Sequence, residues 1–393
     1  MDLKRIQAAV RRRLIRQIEF AKYYFLYPFA LLFRRRDIWL VAERGTDARD
    51  NGFYLFRYLR EKHPEKKVYY VITADSADRK NVTPYGNVVR YRSLKHYLLF
   101  IAARVKISTH ILGFSPRRGF YTATLQRLRP PGKTVFLQHG VTQSDIKQLY
   151  AENTRADLFI CGAKPEYDFV RARFGYKPDA VRYTGFARFD SLHDLQTKKQ
   201  ILIMPTWRRA LALMRSDGQS VAETEFVRRW NRLLTNEKLL SAAEQAHVEI
   251  VFYPHYESQK YLELFDSSAA CVTIADFAHY DVQQLLKESA LLVTDYSSVH
   301  FDFAYMQKPC VYYQFDRDEF YARQYKEGYF DHRTMGFGEV TEDEDALCGL
   351  LIDYISSGFA LKEIYRQRSA AFFPLHDDQN CSRIYEEIVR LEH

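Results

Sequence analysis

Apolar and polar positions along this chain repeat in one order: a short apolar run, a polar turn, then a stretch with apolar residues at helical spacing. The first such unit is a strand over Asp37 to Ala42 followed by a helix over Asp50 to Arg60. Further strands are predicted near 67–73, 104–110, 133–138 and 157–161, with helices near 93–103 and 164–174. Strands separated by helices in this way make βα units on a parallel sheet. The pattern loosens over 176–200, where a domain boundary is placed near residue 190. A second series follows, with strands at 201–204, 248–253, 271–275, 290–293 and 309–314 and helices near 221–240, 257–266 and 281–288. About the last 50 residues keep helical spacing and read as a tail that packs back across the domains. The expected fold is α/β: two Rossmann-like domains, 37–190 and 191–393, facing one cleft, preceded by a basic helical arm over 1–36.

Composition changes this picture at the amino end. Hydrophobic residues make up 47% of the chain and aromatic residues 15%, enough to build two packed cores. The net charge is +9, and residues 1–36 alone carry +8. A nucleic-acid-binding body would spread its positive charge over a groove of the folded domain, so no nucleic-acid partner is expected. The basic residues Arg11, Arg12, Arg13 and Arg16 precede the aromatic run Tyr23 to Phe33, and Arg34, Arg35 and Arg36 follow it. That run is about half the ~20 residues needed to span a bilayer, so the arm is expected to lie on an anionic membrane surface. Each basic residue adds ~1 kcal/mol there. A helix docked on the protein's own core is the other reading of the same residues. Five dispersed cysteines without a CxxC pair read as reduced core residues of a cytoplasmic protein.

Polar groups cluster where predicted strands end. Thr294-Asp295-Tyr296-Ser297-Ser298 turns a strand directly into a helix, offering free N–H groups and two hydroxyls to an anion. A plain helix N-cap explains the same residues. Pro205-Thr206-Trp207-Arg208 and Pro254-His255 leave neighbouring strands of the same half. Together they supply hydroxyls, a helix N-terminus, an imidazole and a guanidinium, all suited to a polyphosphate. In the first half His139 leaves its strand just before Gly140, whose small size permits a sharp turn and close approach. An imidazole there suits a general base for an attacking hydroxyl, and a hydrogen-bonded core histidine is the alternative. No metal site is expected, since Asp316-Arg317-Asp318 reads as a helix N-cap. The arginines at 117, 118, 127 and 129 either hold an acceptor phosphate or are simply solvated.

The order of Gln138-His139-Gly140, Thr184-Gly185-Phe186-Ala187-Arg188-Phe189-Asp190, Pro205 to Arg208, Pro254-His255 and Thr294 to Ser298 with Phe301-Asp302 resembles the CDP-glycerol glycerophosphotransferases of teichoic acid and capsule synthesis. The resemblance covers about residues 37–390, and the length is similar to that of the shorter, primase-like members. It implies a GT-B fold, peripheral attachment to the cytoplasmic membrane face, and transfer of glycerol phosphate from CDP-glycerol to a lipid-linked or polysaccharide hydroxyl with release of CMP. It implies no further cofactor. His139 takes the place of the base, and His255, Ser297 and Ser298 that of the donor diphosphate contacts, with Thr206, Thr294 and Asp295 beside them. Gly140, Asp190 and Asp302 are expected to support these groups. The family commonly has an arginine just before the Pro-His pair; Tyr253 stands here, so Arg188 or Arg208 is expected to compensate. A GT-B transferase using CDP-ribitol or a nucleotide sugar fits the same fold, and a non-enzymatic scaffold binding membrane or polyanion is the third reading.

Overall fold

The computed structural model describes residues 3–33, 37–124, 131–208 and 221–392. Strands β1 (Ile38–Ala42), β2 (Lys67–Ile72), β3 (Val88–Arg90), β4 (Val105–Ser108), β5 (Lys133–Phe136), β6 (Leu158–Cys161) and β7 (Val181–Tyr183) form one sheet, ordered β3-β2-β1-β4-β5-β6-β7. Strands β8 (Lys198–Met204), β9 (Glu249–Phe252), β10 (Val272–Ile274), β11 (Ser289–Thr294), β12 (Cys310–Tyr313) and β13 (Gly338–Thr341) form a second, ordered β10-β9-β8-β11-β12-β13. Every pairing in both sheets is parallel. Parallel strands are covered on both faces, which is why the central ones read as unbroken apolar runs.

Strand order reverses between β1 and β4 in the first sheet and between β8 and β11 in the second. Such switch points open a crevice beyond the carboxyl ends of the strands. In the second sheet Thr294 pairs with Met204, so the exits Pro205 to Arg208 and Asp295 to Ser298 leave side by side.

The unpredicted strands β3, β7 and β13 all lie at sheet edges. An edge strand needs one neighbour and as few as three residues, too little for a period to show. The predicted helix over 221–240 is two helices, Glu225–Leu234 and Glu237–Ala246, because Asn236 caps the second through Leu239 N. Residues Tyr256–Leu264 form 3-10 turns broken by a kink at Tyr261, where a single helix was predicted.

The N-terminal segment is a helix, Leu3–Phe33, and not a detached arm. Glu19, Tyr23, Leu26 and Ala30 are buried against the helix Leu94–Ala102. The Glu19 carboxylate accepts hydrogen bonds from Tyr97 Oη at 2.9 Å and Arg117 Nε at 3.1 Å. On the opposite side Val10, Leu14, Phe25, Phe29 and Leu32 are 50–74% exposed. No helix among the described residues is long and apolar enough to cross a membrane. Arg34, Arg35, Arg36, Arg127 and Arg129 lie outside the described residues.

The C-terminal helix Asn380–Glu392 returns to the first sheet. Glu392 accepts from Trp39 Nε1 at 3.0 Å, and Glu387 from Arg182 Nε at 2.9 Å. Asp190, expected to support the site, holds the start of this helix: its carboxylate accepts from Asn380 N, Asn380 Nδ2 and Cys381 N. Gly185 lies beneath, at φ +77°, where any Cβ would fall 1.8 Å from Asn380 Oδ1. Asp190→Ala is expected to cost about 1–2 kcal/mol, as loss of a helix cap does. A urea midpoint equal to that of the unaltered protein would show that Asp190 does not anchor this helix.

Candidate active site

His139 leaves the first sheet through a tightly held turn. Gln138 adopts φ +58°, a left-handed conformation that costs a residue with a Cβ about 1 kcal/mol or more. Its side chain holds it there: Nε2 donates to Ile160 O at 2.7 Å and to Glu166 Oε1 at 3.0 Å, while Oε1 accepts from Thr142 Oγ1 at 2.7 Å. Glu166 also accepts from the backbone N–H groups of Thr142 and Gly162. Burial pushes the Glu166 carboxyl up to about 7, against these donors. The turn sends His139 and Gly140 toward the second domain, where a Cβ on Gly140 would fall 2.7 Å from Ser298 Oγ. The two strand-end sites read separately in the sequence therefore touch.

The His139 ring is open to solvent yet deep between the domains, ringed by protein on several sides. That surrounding bulk lowers its pKa below the ordinary imidazole value, and Arg188 and Arg44 act in the same direction. Asp50 and a hydrogen bond with the Thr109 backbone oppose the shift and do not reverse it. The ring is thus neutral near pH 7, the state a proton acceptor requires.

Across the contact, Ser297 and Ser298 precede the helix Val299–Tyr305, and Ser298 makes no side-chain capping bond. Both serines are half-buried, and among the described residues neither hydroxyl has a partner. The plain N-cap reading therefore does not hold. The first domain shows the contrast: Glu43 fills the mouth of the helix Asn51–Lys62, accepting from Arg49 N, Asp50 N and Phe53 N. Burial and the Asp50 carboxylate push Glu43 up to about 8.

The turn before the serines is braced from behind. Thr294 Oγ1 donates to Met204 O at 2.7 Å, and the buried Asp295 accepts from Thr206 N at 2.8 Å and from Tyr296 N. Arg208 donates to Asp295 at 2.8 Å and to Asp316 at 2.6 and 3.0 Å. The rings of Phe226, Tyr296 and Phe320 lie 5.0–5.3 Å from its guanidinium carbon. Asp316 accordingly makes no capping bond to its helix, contrary to the N-cap expectation. Thr206 Oγ1 is buried and has no hydrogen-bond partner among the described residues. His255 is half-buried and stacks on Trp207 with ring centroids 6.2 Å apart.

Arg188 joins the halves. It is 3% exposed, and donates through Nε and Nη2 to Asp302 of the serine helix at 2.7 and 2.9 Å. Through Nη1 it reaches Asp50 at 3.0 Å and His139 O at 3.3 Å. Gln143 adds a second crossing, donating to Tyr296 O at 2.6 Å. The expected compensation by Arg188 or Arg208 for the missing arginine is corrected here: both guanidinium groups are buried and committed to carboxylates. Thr294 and Asp295 likewise shape the cradle without lining it. Of the expected donor contacts, the unspent hydroxyls are those of Thr206, Ser297 and Ser298.

Sequence reading missed Glu43, Asp50, His110, Gln143 and Glu166. Asp50 carried a recognisable N-cap signal, accepting from Asn51 N at 2.7 Å. His110 follows β4 as His139 follows β5, but the predicted strand over 104–110 ran through it. Gln143 acts through a contact 153 residues away and Glu166 through contacts 24 and 28 residues away, while Glu43 binds backbone groups 6 to 10 residues on, in a turn that no apolar period marks.

Two facing parallel sheets with their switch points on a shared cleft define the GT-B class. Residues 23–390 match the family model of CDP-Glycerol:Poly(glycerophosphate) glycerophosphotransferase. The chain is 33% identical over 372 residues to the minor teichoic acid biosynthesis protein GgaB of Bacillus subtilis, covering 92% of this chain and 40% of that protein. It is 24% identical over 383 residues to the teichoic acid glycerol-phosphate transferase of Staphylococcus aureus, covering 90% of this chain and 92% of that one. Its fold matches a solved structure of the wall teichoic acid polymerase TagF with a TM-score of 0.70 at 16% identity, over 100% of this chain and 98% of the other. The chain belongs to the CDP-glycerol:poly(glycerophosphate) glycerophosphotransferase family.

Asp302→Asn leaves Arg188 buried beside Asp50 alone and is expected to destabilise the protein by about 3 kcal/mol. Urea unfolding reads this as a lower midpoint; an unshifted midpoint would mean that the ion pair does not hold the domains together.

Proposed function

We propose that this chain transfers glycerol phosphate from CDP-glycerol to a hydroxyl of a membrane-linked or glycan acceptor and releases CMP, in the synthesis of a teichoic-acid-like polymer. The observation that carries the reading is the approach of Gly140 to Ser298, which sets a neutral imidazole beside hydroxyls and N–H groups that the protein leaves unspent. The donor pyrophosphate takes Ser297, Ser298 and Thr206, with His255 beside it. A cavity of about 580 Å³ beyond the ends of β12 and β13, lined in part by Gln314, Asp316, Arg317 and His332, is read as the nucleoside site, joined to the cradle by Asp316, which accepts from Arg208 and Tyr296 Oη. His332 favours this placement, since its Nε2 is buried without a partner among the described residues.

The acceptor hydroxyl attacks the β-phosphorus in line. A phosphorus–oxygen bond forms, the acceptor proton passes to His139, and the bond to the bridging oxygen breaks with its electron pair leaving on CMP. Negative charge grows on the phosphoryl oxygens, and fixed donors aimed at them lower the barrier. Asp295, Arg208 and Asp316 hold those donors in place in advance, so little reorganisation remains for the reaction itself.

The N-terminal helix is read as the membrane contact. Its exposed apolar stripe is flanked by the exposed Arg11, Arg13, Arg16 and Lys22, matching an anionic lipid surface on the cytoplasmic face.

Two experiments test these readings. With CDP-glycerol, CDP-ribitol and UDP-sugars offered beside a lipid-linked glycerol phosphate acceptor, mass spectrometry is expected to show addition of one or more glycerol phosphate units from CDP-glycerol. In the same assay His139→Ala should lose roughly 10²-fold or more in kcat with calorimetric donor affinity retained, and Ser298→Ala should chiefly weaken that affinity. Wild-type turnover in His139→Ala removes it from the mechanism. For the membrane, replacing Phe25, Phe29 and Leu32 with serine removes side chains whose burial is each worth about 1.5–3 kcal/mol. Sedimentation with phosphatidylglycerol vesicles should then fail while CDP-glycerol still binds; undiminished sedimentation would rule the helix out as the contact.

A further inference from the structure

His110 lies in the loop that follows β4, and its ring is stacked flat on that of His139, with centroids 4.7 Å and planes 13° apart. We propose that His110 is a positioning residue for His139, a rigid platform that fixes the plane of the base and keeps water off the ring face turned away from substrate. The inference rests on reading His139 as the base.

The platform is itself anchored. His110 Nδ1 is 2.9 Å from Thr109 Oγ1, and its carbonyl accepts from Gly113 N at 2.9 Å. Gly113 packs so closely on the end of β1 that a Cβ there would fall 1.8 Å from Glu43 O. Leu112 takes φ +53°, and both Ser115 N and Ser115 Oγ donate to its carbonyl. The neighbouring Thr109 backbone is hydrogen-bonded with the His139 ring. One loop thus holds His139 by an edge and by a face.

Stacked rings present faces to each other, so no in-plane N–H to N bond passes a proton between them, and His110 takes no part in the transfer. Two imidazoles this close do not both carry a charge. Burial, His139, Arg44 and Arg118 hold His110 down to about 2, so it is the neutral partner throughout. The charged groups facing His139 are Asp50 from the start of the helix Asn51–Lys62, Arg188 from the Ala187–Ser191 turn and Arg44 from the loop after β1. Asp50 draws a proton onto His139, and the low polarity around the ring resists it. His110 supplies part of that bulk. Removing it admits water, relieves the penalty on the imidazolium and raises the His139 pKa, so the acid limb of the rate profile moves to higher pH.

The test compares His110→Ala, His110→Leu and His110→Phe in the full chain. It uses CDP-glycerol with the lipid-linked acceptor and follows the His139 ring by nuclear magnetic resonance against pH. His110→Ala is expected to lower kcat roughly tenfold with little change in KM for CDP-glycerol. It should also move both the acid limb and the His139 titration to higher pH. His110→Phe restores a flat ring and should restore kcat and both pH readings to near those of the unaltered protein. His110→Leu fills the space without a flat ring and should keep the low titration while losing kcat; it replaces the alanine variant if that one does not fold. The proposal is overturned if the alanine or leucine variant keeps full kcat, or if phenylalanine is as impaired as alanine. Full activity in His139→Ala would instead defeat the assignment of the base, and the ring titration would still decide whether His110 shields it.

Discussion

A single buried guanidinium sets the geometry on which the cleft depends. Arg188 belongs to the first domain, yet two of its donors go to Asp302 on the second domain's serine helix, and its others reach Asp50 and the carbonyl of His139. Removing these charges from water is costly, and the cost is offset only when the pairing is close and fully hydrogen-bonded. The arrangement therefore has little tolerance for sliding. Because Asp302 is one turn beyond Ser298, fixing Asp302 fixes the hydroxyls, and because Nη1 meets His139 O, the same group fixes the backbone of His139. His139 and the two serines are thereby held in fixed mutual position.

The cradle shows the same economy on a smaller scale. Asp295 is surrounded by donors that all belong to the protein, namely Thr206 N, Tyr296 N and Arg208. Its role is to bend two strand exits toward each other, and it leaves the outward-facing hydroxyls and N–H groups without internal partners. In the first domain the mouth of the helix that follows β1 is occupied by Glu43. One helix mouth is thus filled by the protein's own carboxylate, while the serines before Val299–Tyr305 have no side-chain partner among the described residues and lie against the turn of His139 and Gly140.

Both chain ends are drawn into the first domain. The N-terminal helix is pinned by Glu19 to Tyr97 and Arg117, and the C-terminal helix by Asp190 and the Glu387 and Glu392 contacts to the first sheet. The second domain is thereby tethered to the first by its own tail as well as by Arg188. The N-terminal helix that carries the exposed apolar stripe is tied by Glu19 to Arg117, at the start of the helix that follows β4.

Much of this was legible in the residues alone. The long buried strands, their order in two series and the polar exits at His139, Pro205, Pro254 and Thr294 follow from local hydrophobicity and from where polar residues interrupt it, which are properties of neighbours in the chain. The edge strands were not legible, because a three-residue segment such as Val88–Arg90 has no period to detect and is a strand only because β2 lies beside it. Nor were the roles of the charged residues. Arg188 and Arg208 read as phosphate ligands from type and position, and became braces because Asp302, 114 residues away, and Asp295, 87 residues away, were folded against them. A guanidinium binds whichever carboxylate or phosphate is nearest, and distance along the chain does not say which that is. Local sequence determined the elements and the kinds of chemistry at their ends; only the tertiary structure decided which charged groups would be spent on each other and which hydroxyls would be left for a ligand.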